Sequence, residues 1–218
     1  MNKPFNKTAL TFLISISCSI AFGQTNCPEF IQENQDTLGY LDCIKTYRKN
    51  AKNEFITDVK SPIKKKDIDY LDYYQPIAEW LLLGKYKLTP EEKPIEFTTS
   101  SGTKRQYRQY AIIYFQKEDC SFELAVYESE SLKANPEYAD YIFLPFTDLS
   151  NEEETYGGGR YMELKTGDFK NNQVLVDFNK TYNPYCAYSE GYNCPIPPEK
   201  NRLKIKIEAG EKNFKKPH

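Results

Sequence analysis

Histidine is almost missing from this chain: the single one, His218, ends a basic tail. That scarcity excludes Ser-His-Asp and Cys-His nucleophilic catalysis, the zinc-protease helix motif and most catalytic zinc sites, all of which need imidazole. Any chemistry must then use carboxylates, thiols, Lys, Tyr or Arg. Nucleotide fingerprints are missing too, since no GxGxxG opens a helix and no Lys-Ser/Thr pair follows the glycines. Neither charge sign dominates: 29 basic and 31 acidic side chains are interspersed, for a formal net charge of −2. No global field therefore favours nucleic acid or an anionic membrane. The basic runs Lys64-Lys65-Lys66 and Lys212 to Lys216 read as solvated loop and terminus. No cofactor and no metal are expected.

Long hydrophobic runs are confined to the N-terminus. Lys3 and Lys7 form a positive region, Ala9 to Phe22 is an apolar run too short to span a membrane comfortably, and Ala21 and Gly23 supply small side chains. This predicts a signal peptide over residues 1–23 with cleavage before Gln24. The rival reading makes Cys18 the lipid-bearing cysteine of a lipoprotein, which Ser15 at the third position before it fits poorly. No other stretch is long and apolar enough to be a transmembrane helix. The expected product is an exported, soluble, periplasmic or secreted chain.

The remainder is the size of one domain with a sizeable core. What it has in excess is aromatic: 18 Tyr and 13 Phe, residues that suit half-buried strands and ligand-lining walls alike. Leu38, Leu41, Ile44 and Tyr47 recur at three-residue steps and predict a helix over Thr37 to Thr57, broken by Ser61-Pro62. Lys66 to Asp72 reads as a short second helix or turn, and Ile77 to Leu88 as either helix or buried strand. From Ile95 the period falls to two. Strands are expected at Tyr107 to Phe115, Phe122 to Tyr127, Tyr141 to Phe146, Tyr161 to Lys165, Val174 to Phe178 and Leu203 to Ile207. Leu203, Ile205 and Ile207 alternate with charged residues there, the signature of a strand with one wet face. Short strands without intervening helices predict a mainly β fold. It is a single antiparallel β-sandwich or partly open β-barrel, with one or two N-terminal helices. The expected division is a helical segment at 24–60, a β domain at 61–211 and a basic tail at 212–218.

Two stretches could carry a site. Tyr156-Gly157-Gly158-Gly159-Arg160 combines glycines, which allow close backbone approach, with a guanidinium fork for a carboxylate or phosphate. Its bland alternative is a hairpin whose Arg holds a neighbouring carboxylate. Asp177 and Asn179 stand at alternate positions near a strand end, where polar groups face solvent or line a barrel mouth. Asp148, Glu154 and Glu163 are further carboxylates near the glycine turn, and a pair of them could do acid–base work if suitably spaced. Beyond lies a stiff loop rich in Tyr and Pro, holding Tyr182, Asn183, Cys186 and Cys194. An exported chain keeps five cysteines, so pairing is favoured with one thiol left over. Cys186 with Cys194 and Cys27 with Cys43 are the candidate bridges, with Cys120 free. Structural thiols, or a metal or redox site, are the alternatives for Cys186 and Cys194.

Several blocks stand in a specific order: FLPFTD (Phe143 to Asp148), ETYGGGRY (Glu154 to Tyr161), DFNKTYNPYCAY (Asp177 to Tyr188), CPIPPEKNRL (Cys194 to Leu203) and EAGE (Glu208 to Glu211). With the weaker YYQPI (Tyr73 to Ile77) and TSSGTKRQYRQY (Thr99 to Tyr110), they resemble the bacterial and archaeal family called domain of unknown function 1684. The resemblance covers most of the chain and implies no activity to carry over. The family includes members without an export signal, so it does not itself require a bridge at the matching cysteines. The leading functional expectation is a non-catalytic module for a small polar or anionic ligand. Its candidate wall is Arg160, Asp177, Asn179, Tyr182, Asn183, Tyr156 and Asp148. The alternatives are a hydrolase using Asp148 and Asp177 with Arg160, or a structural, partner-binding surface protein.

Overall fold

The computed structural model describes Cys27 and residues 36–216. The expected signal segment, Cys18 and the terminal His218 lie outside the described residues. Seven antiparallel strands form one sheet curled into a half-barrel, in the order β6-β5-β4-β3-β1-β7 with β2 alongside β3. They are β1 Leu81–Leu88, β2 Ile95–Thr98, β3 Lys104–Lys117, β4 Cys120–Ser129, β5 Tyr141–Phe146, β6 Arg160–Lys165 and β7 Gln173–Asp177. Of the two β architectures the sequence allowed, this is the partly open barrel.

Alternation builds two aromatic-rich layers. The concave face collects Ala111, Ile113, Phe115, Leu124, Val126, Ile142, Leu144, Met162 and Val176 into the main core. The convex face carries Phe97, Tyr107, Tyr127, Phe143 and Tyr161. A β-bulge between Gln109 and Ala111 decides which residue goes where. Gln109 pairs with Tyr127 and faces outward, while Ala111 pairs with Val126 and faces inward. Buried positions still alternate without a break from Tyr107 to Phe115, so the extra residue is invisible in the pattern.

The sheet does not close, because β6 and β7 are its two edges. The C-terminal segment occupies the opening: Phe178, Leu203, Ile207 and Ala209 join the core, and Tyr182 pairs with Tyr161 along the β6 edge. This removes an exposed ladder edge. Leu203 to Ile207 is not a strand, contrary to its alternation. Leu203 and Ile207 do point inward, but their backbone bonds go to Thr147 and to the Asp148 carboxylate, not to a neighbouring ladder. The strand expected to reach Phe178 stops at Asp177, where a single 3-10 turn, Phe178–Lys180, begins.

Helix α1 (Thr37–Thr57) starts at Asp36, whose side chain accepts from the Gly39 N–H. Its buried face is Tyr40, Ile44, Arg48, Ala51 and Phe55, while Leu38 is 77% exposed. The three-residue steps of the sequence drift around the cylinder, and the face that packs follows the true 3.6-residue period. It includes a buried Arg48 because the guanidinium donates to the carbonyls of Tyr74 and Asn179 at 2.7 and 3.2 Å. The ambiguous Leu81-Leu82-Leu83 opens β1, paired on both sides. Gly84 is required there, since a Cβ would lie 2.4 Å from Ile113. The basic tail is not merely solvated: Lys215 and Lys216 pair with Asp72 and Asp67, and Phe214 packs on Tyr188. Among the described residues, no helix is long and apolar enough to cross a membrane.

Candidate ligand recess

Arg160 and Asp148 come together as expected, but in the interior. The Arg160 side chain is fully buried and its two terminal nitrogens donate to five oxygens. These are Asp148 Oδ2 at 3.1 Å, Ser150 Oγ at 3.4 Å, and the carbonyls of Ile207 at 2.8 Å, Glu211 at 3.3 Å and Ala209. Asp148 accepts in addition from Ser150 Oγ at 2.8 Å and from the Ile207 N–H. Burial lowers the guanidinium's proton affinity, with Asp148 opposing. Gly159 and Gly210 permit this crowding. Both have positive φ (87° and 76°), and a Cβ would meet the Phe146 carbonyl at 2.6 Å or Thr181 Oγ1 at 1.8 Å. The Tyr156 ring lies over Gly158, and the Tyr156 carbonyl accepts from Asn151 Nδ2. Asn183 joins the same network through Glu211, whose carboxylate it meets with both its backbone and side-chain N–H groups at 3.1 Å.

Asp177 and Asn179 form a second buried network. Tyr40 Oη donates to Asp177 Oδ1 at 2.8 Å, and Asn179 bonds Tyr40, Asp177 and both backbone groups of Ile77. It ties α1 to the end of β7. Burial raises the Asp177 carboxyl, and Lys180 and Tyr40 moderate the rise.

Tyr182 alone among the expected site residues leads elsewhere. Its hydroxyl donates to Glu163 Oε1 at 2.8 Å on the convex face of β6. Glu163 stands opposite Phe143 across the β5–β6 ladder, and Tyr141 stacks on Phe143 with centroids 6.5 Å apart. Tyr161 meets Tyr182 edge-on at 6.1 Å. From α1, Tyr47 and Glu54 act electrostatically on Glu163 and, seven positions apart, share one helix face. Burial pushes the Glu163 carboxyl up to about 7. Glu54 adds to the rise, while the Tyr182 hydrogen bond and Lys165 oppose it. Burial, then the charge of Glu163, holds the phenols of Tyr47, Tyr141 and Tyr182 well above their usual range, so they stay neutral. Yet Tyr47, Tyr141, Glu163 and Tyr182 all keep part of their surface accessible. Deep burial of the polar ends beside residual access along the side chains sets this cluster just beneath the surface.

The cysteine loop borders this region. Cys186 is bridged to Cys194 and Cys27 to Cys43, with Cα–Cα distances of 6.3 and 5.4 Å, leaving Cys120 as the free cysteine among the described residues. The Cys186–Cys194 loop is fastened to the β2–β3 turn. Ser100 N–H donates to the Cys194 carbonyl at 2.8 Å, Cys194 N–H to Ser100 Oγ at 3.0 Å, and Ile196 N–H to the Thr98 carbonyl at 2.8 Å. Tyr161 Oη donates to the Pro195 carbonyl. The loop thus fixes the tyrosines that precede it. Among the described residues, no group of three His, Cys, Asp or Glu is placed to hold a metal ion.

Glu163 carried a weak signal, as one of three carboxylates near the glycine turn. Tyr47 and Tyr141 carried none beyond the tyrosine excess, since only the packing of remote segments brings them to Glu163.

A family model described as "Protein of unknown function (DUF1684)" matches residues 66–212. Among solved structures, the chain is similar to the solution NMR structure of an uncharacterised protein from gene locus rrnAC0354 of Haloarcula marismortui. The two share 26% identity at a TM-score of 0.61, over 84% of this chain and 99% of that one. No curated protein matches.

Proposed function

The chain belongs to the DUF1684 family, proteins of unknown function, and on that premise we propose from its own geometry that it is a non-catalytic module binding a small polar ligand in the Glu163 recess. The observation that carries this reading is a part-buried glutamate on the outer face of β6 whose carboxylate accepts from Tyr182 among neighbouring tyrosines. An apolar-walled recess with a few convergent polar groups is the usual form of a small-molecule site. Arg160 and Asp148 belong to its foundation: every family block that meets at Arg160 is spent on internal hydrogen bonds.

Binding is favoured over hydrolysis because the two carboxylates suited to acid–base work, Asp148 and Asp177, are only 6% and 5% exposed and engaged by different partners. An exported location fits two disulfides behind an N-terminal segment of export type. The test is a thermal-shift panel of small polar metabolites on wild type, Glu163→Gln and Tyr182→Phe. Hits on wild type that both variants lose support the recess. Hits that survive both substitutions refute it.

A further inference from the structure

We propose that the open part of the convex sheet face binds a second copy of this chain, with β3 lying on β3 about a two-fold axis. The inference is independent of the Glu163 recess and rests on the side-chain pattern across β1, β3 and β4.

Lys85 pairs with Tyr114 and Tyr114 with Glu123, so one row across the sheet reads basic, aromatic, acidic. Leu83 and Gln116 stand two positions away on the same face, and Gln116 pairs with Ser121. Together these six line an open depression of about 480 Å³. Tyr107, Tyr127, Phe143 and Tyr161 are buried elsewhere on the convex face, whereas Leu83 is 53% and Tyr114 42% exposed. Leu175 on the edge strand β7 adjoins Leu83 and extends the apolar area. Lys85 and Glu123 are exposed, and among the described residues neither has an ion pair or a side-chain hydrogen bond. Lys104, by contrast, reaches Glu96 across β2 and β3 at 2.5 Å. Tyr114 holds Lys85 and Glu123 two strands apart, roughly 10 Å at the backbone.

A row that reads basic, aromatic, acidic is complementary to its own image. A two-fold axis along β3 sets Lys85 against Glu123 of the second copy, and Glu123 against its Lys85. It also brings Tyr114 onto Tyr114 and Gln116 onto Gln116, where rings stack with an offset and amides pair donor to acceptor. An axis across the strands would set Lys85 on Lys85, and like charge opposes it. Isologous contacts of this kind are the commonest in homo-oligomers, and packed sheets keep their strands within about 30° of each other. A small solute fits less well, because its site is normally a cleft that encloses it, and this face is convex and open. Four strands about 4.8 Å apart and about five residues long give a face of roughly 19 by 17 Å. That is small for an interface, so the expected Kd is about 10–500 µM.

The experiment is sedimentation equilibrium of the purified protein from about 5 µM to about 1 mM. Wild type should form a reversible dimer that weakens as salt is raised. Lys85→Glu and Glu123→Lys, both at exposed positions, should each weaken it at least about tenfold. Mixing the two variants should restore association as a heterodimer, since each offers the charge the other lacks. The double variant should dimerise like wild type. A wild type that stays monomeric throughout overturns the proposal and leaves the face to a partner of another kind. A dimer that survives both single substitutions places the contact elsewhere and also overturns it. So does a mixture of the two variants that fails to associate.

Discussion

Replacing Glu163 by Gln should stabilise the folded chain in alkaline solution and leave it nearly unchanged in acid. Glu163 is held at about 7 in the folded state against 4.5 for an ordinary glutamate. The folded chain thus binds a proton that the unfolded chain has released, and the sign follows directly. Below the ordinary value both states are protonated and Glu163 contributes no penalty. Between it and neutrality stability falls as pH rises, and above neutrality the penalty is complete. The full difference corresponds to about 3 kcal/mol. Residual solvent contact at the recess screens this to about 1–2 kcal/mol. Gln keeps an oxygen to accept from Tyr182 and carries no charge, so it recovers that amount, raising the melting temperature by about 2–8 °C at pH 8. Denaturant unfolding of wild type and variant across pH 4 to 9 measures it. Glu211, also pushed up to about 7, gives both proteins a similar background slope, so the difference between the curves isolates Glu163. Parallel curves at every pH would show that Glu163 is well solvated and the recess does not enclose it.

Arg160→Lys should destabilise by about 3–5 kcal/mol in urea unfolding, because one ammonium cannot reach oxygens that two guanidinium nitrogens now serve and Asp148 stays buried. Gly210→Ala should unfold the chain or cost several kcal/mol by the same assay, since its Cβ would overlap Thr181 Oγ1 at a positive-φ position. Tyr40→Phe should cost about 1–2 kcal/mol by removing the hydroxyl shared by Asp177 and Asn179, and should loosen α1 in hydrogen exchange. Selective reduction of Cys186–Cys194 should cost about 2–3 kcal/mol and raise exchange at the Ser100 and Ile196 amides, which the loop fastens.

Local regularities of the sequence translated well. The helix over Thr37 to Thr57, most strands and the cysteine pairs all follow from periodicity, punctuation and spacing. What failed was non-local. The bulge at Gln109 turns Tyr107 to the outer face without breaking the alternation, because a half-barrel buries residues on both faces. Leu203 to Ile207 alternates like a strand, yet its polar backbone groups are satisfied by Thr147, Leu149 and Asp148. Arg160 stood out for its glycines and its charge. The carbonyls that surround it come from Ile207 and the EAGE block about fifty residues later, a convergence no spacing reveals. Glu163 shares a strand face with Tyr161 and Lys165, opposite Met162 and Leu164, and so reads as a wet position. Tyr182 and α1 cover that face from remote parts of the chain.

The most direct test of the recess is an NMR titration with the tightest wild-type hit of the metabolite panel, following the side-chain carboxyl carbon of each glutamate and aspartate and the tyrosine rings. Shifts centred on Glu163, Tyr47, Tyr141 and Tyr182, with Asp148 and Asp177 silent, are the expected result. Shifts centred on Asp148 and Tyr156 at the glycine turn, or on Asp177 and Tyr40, would contradict it.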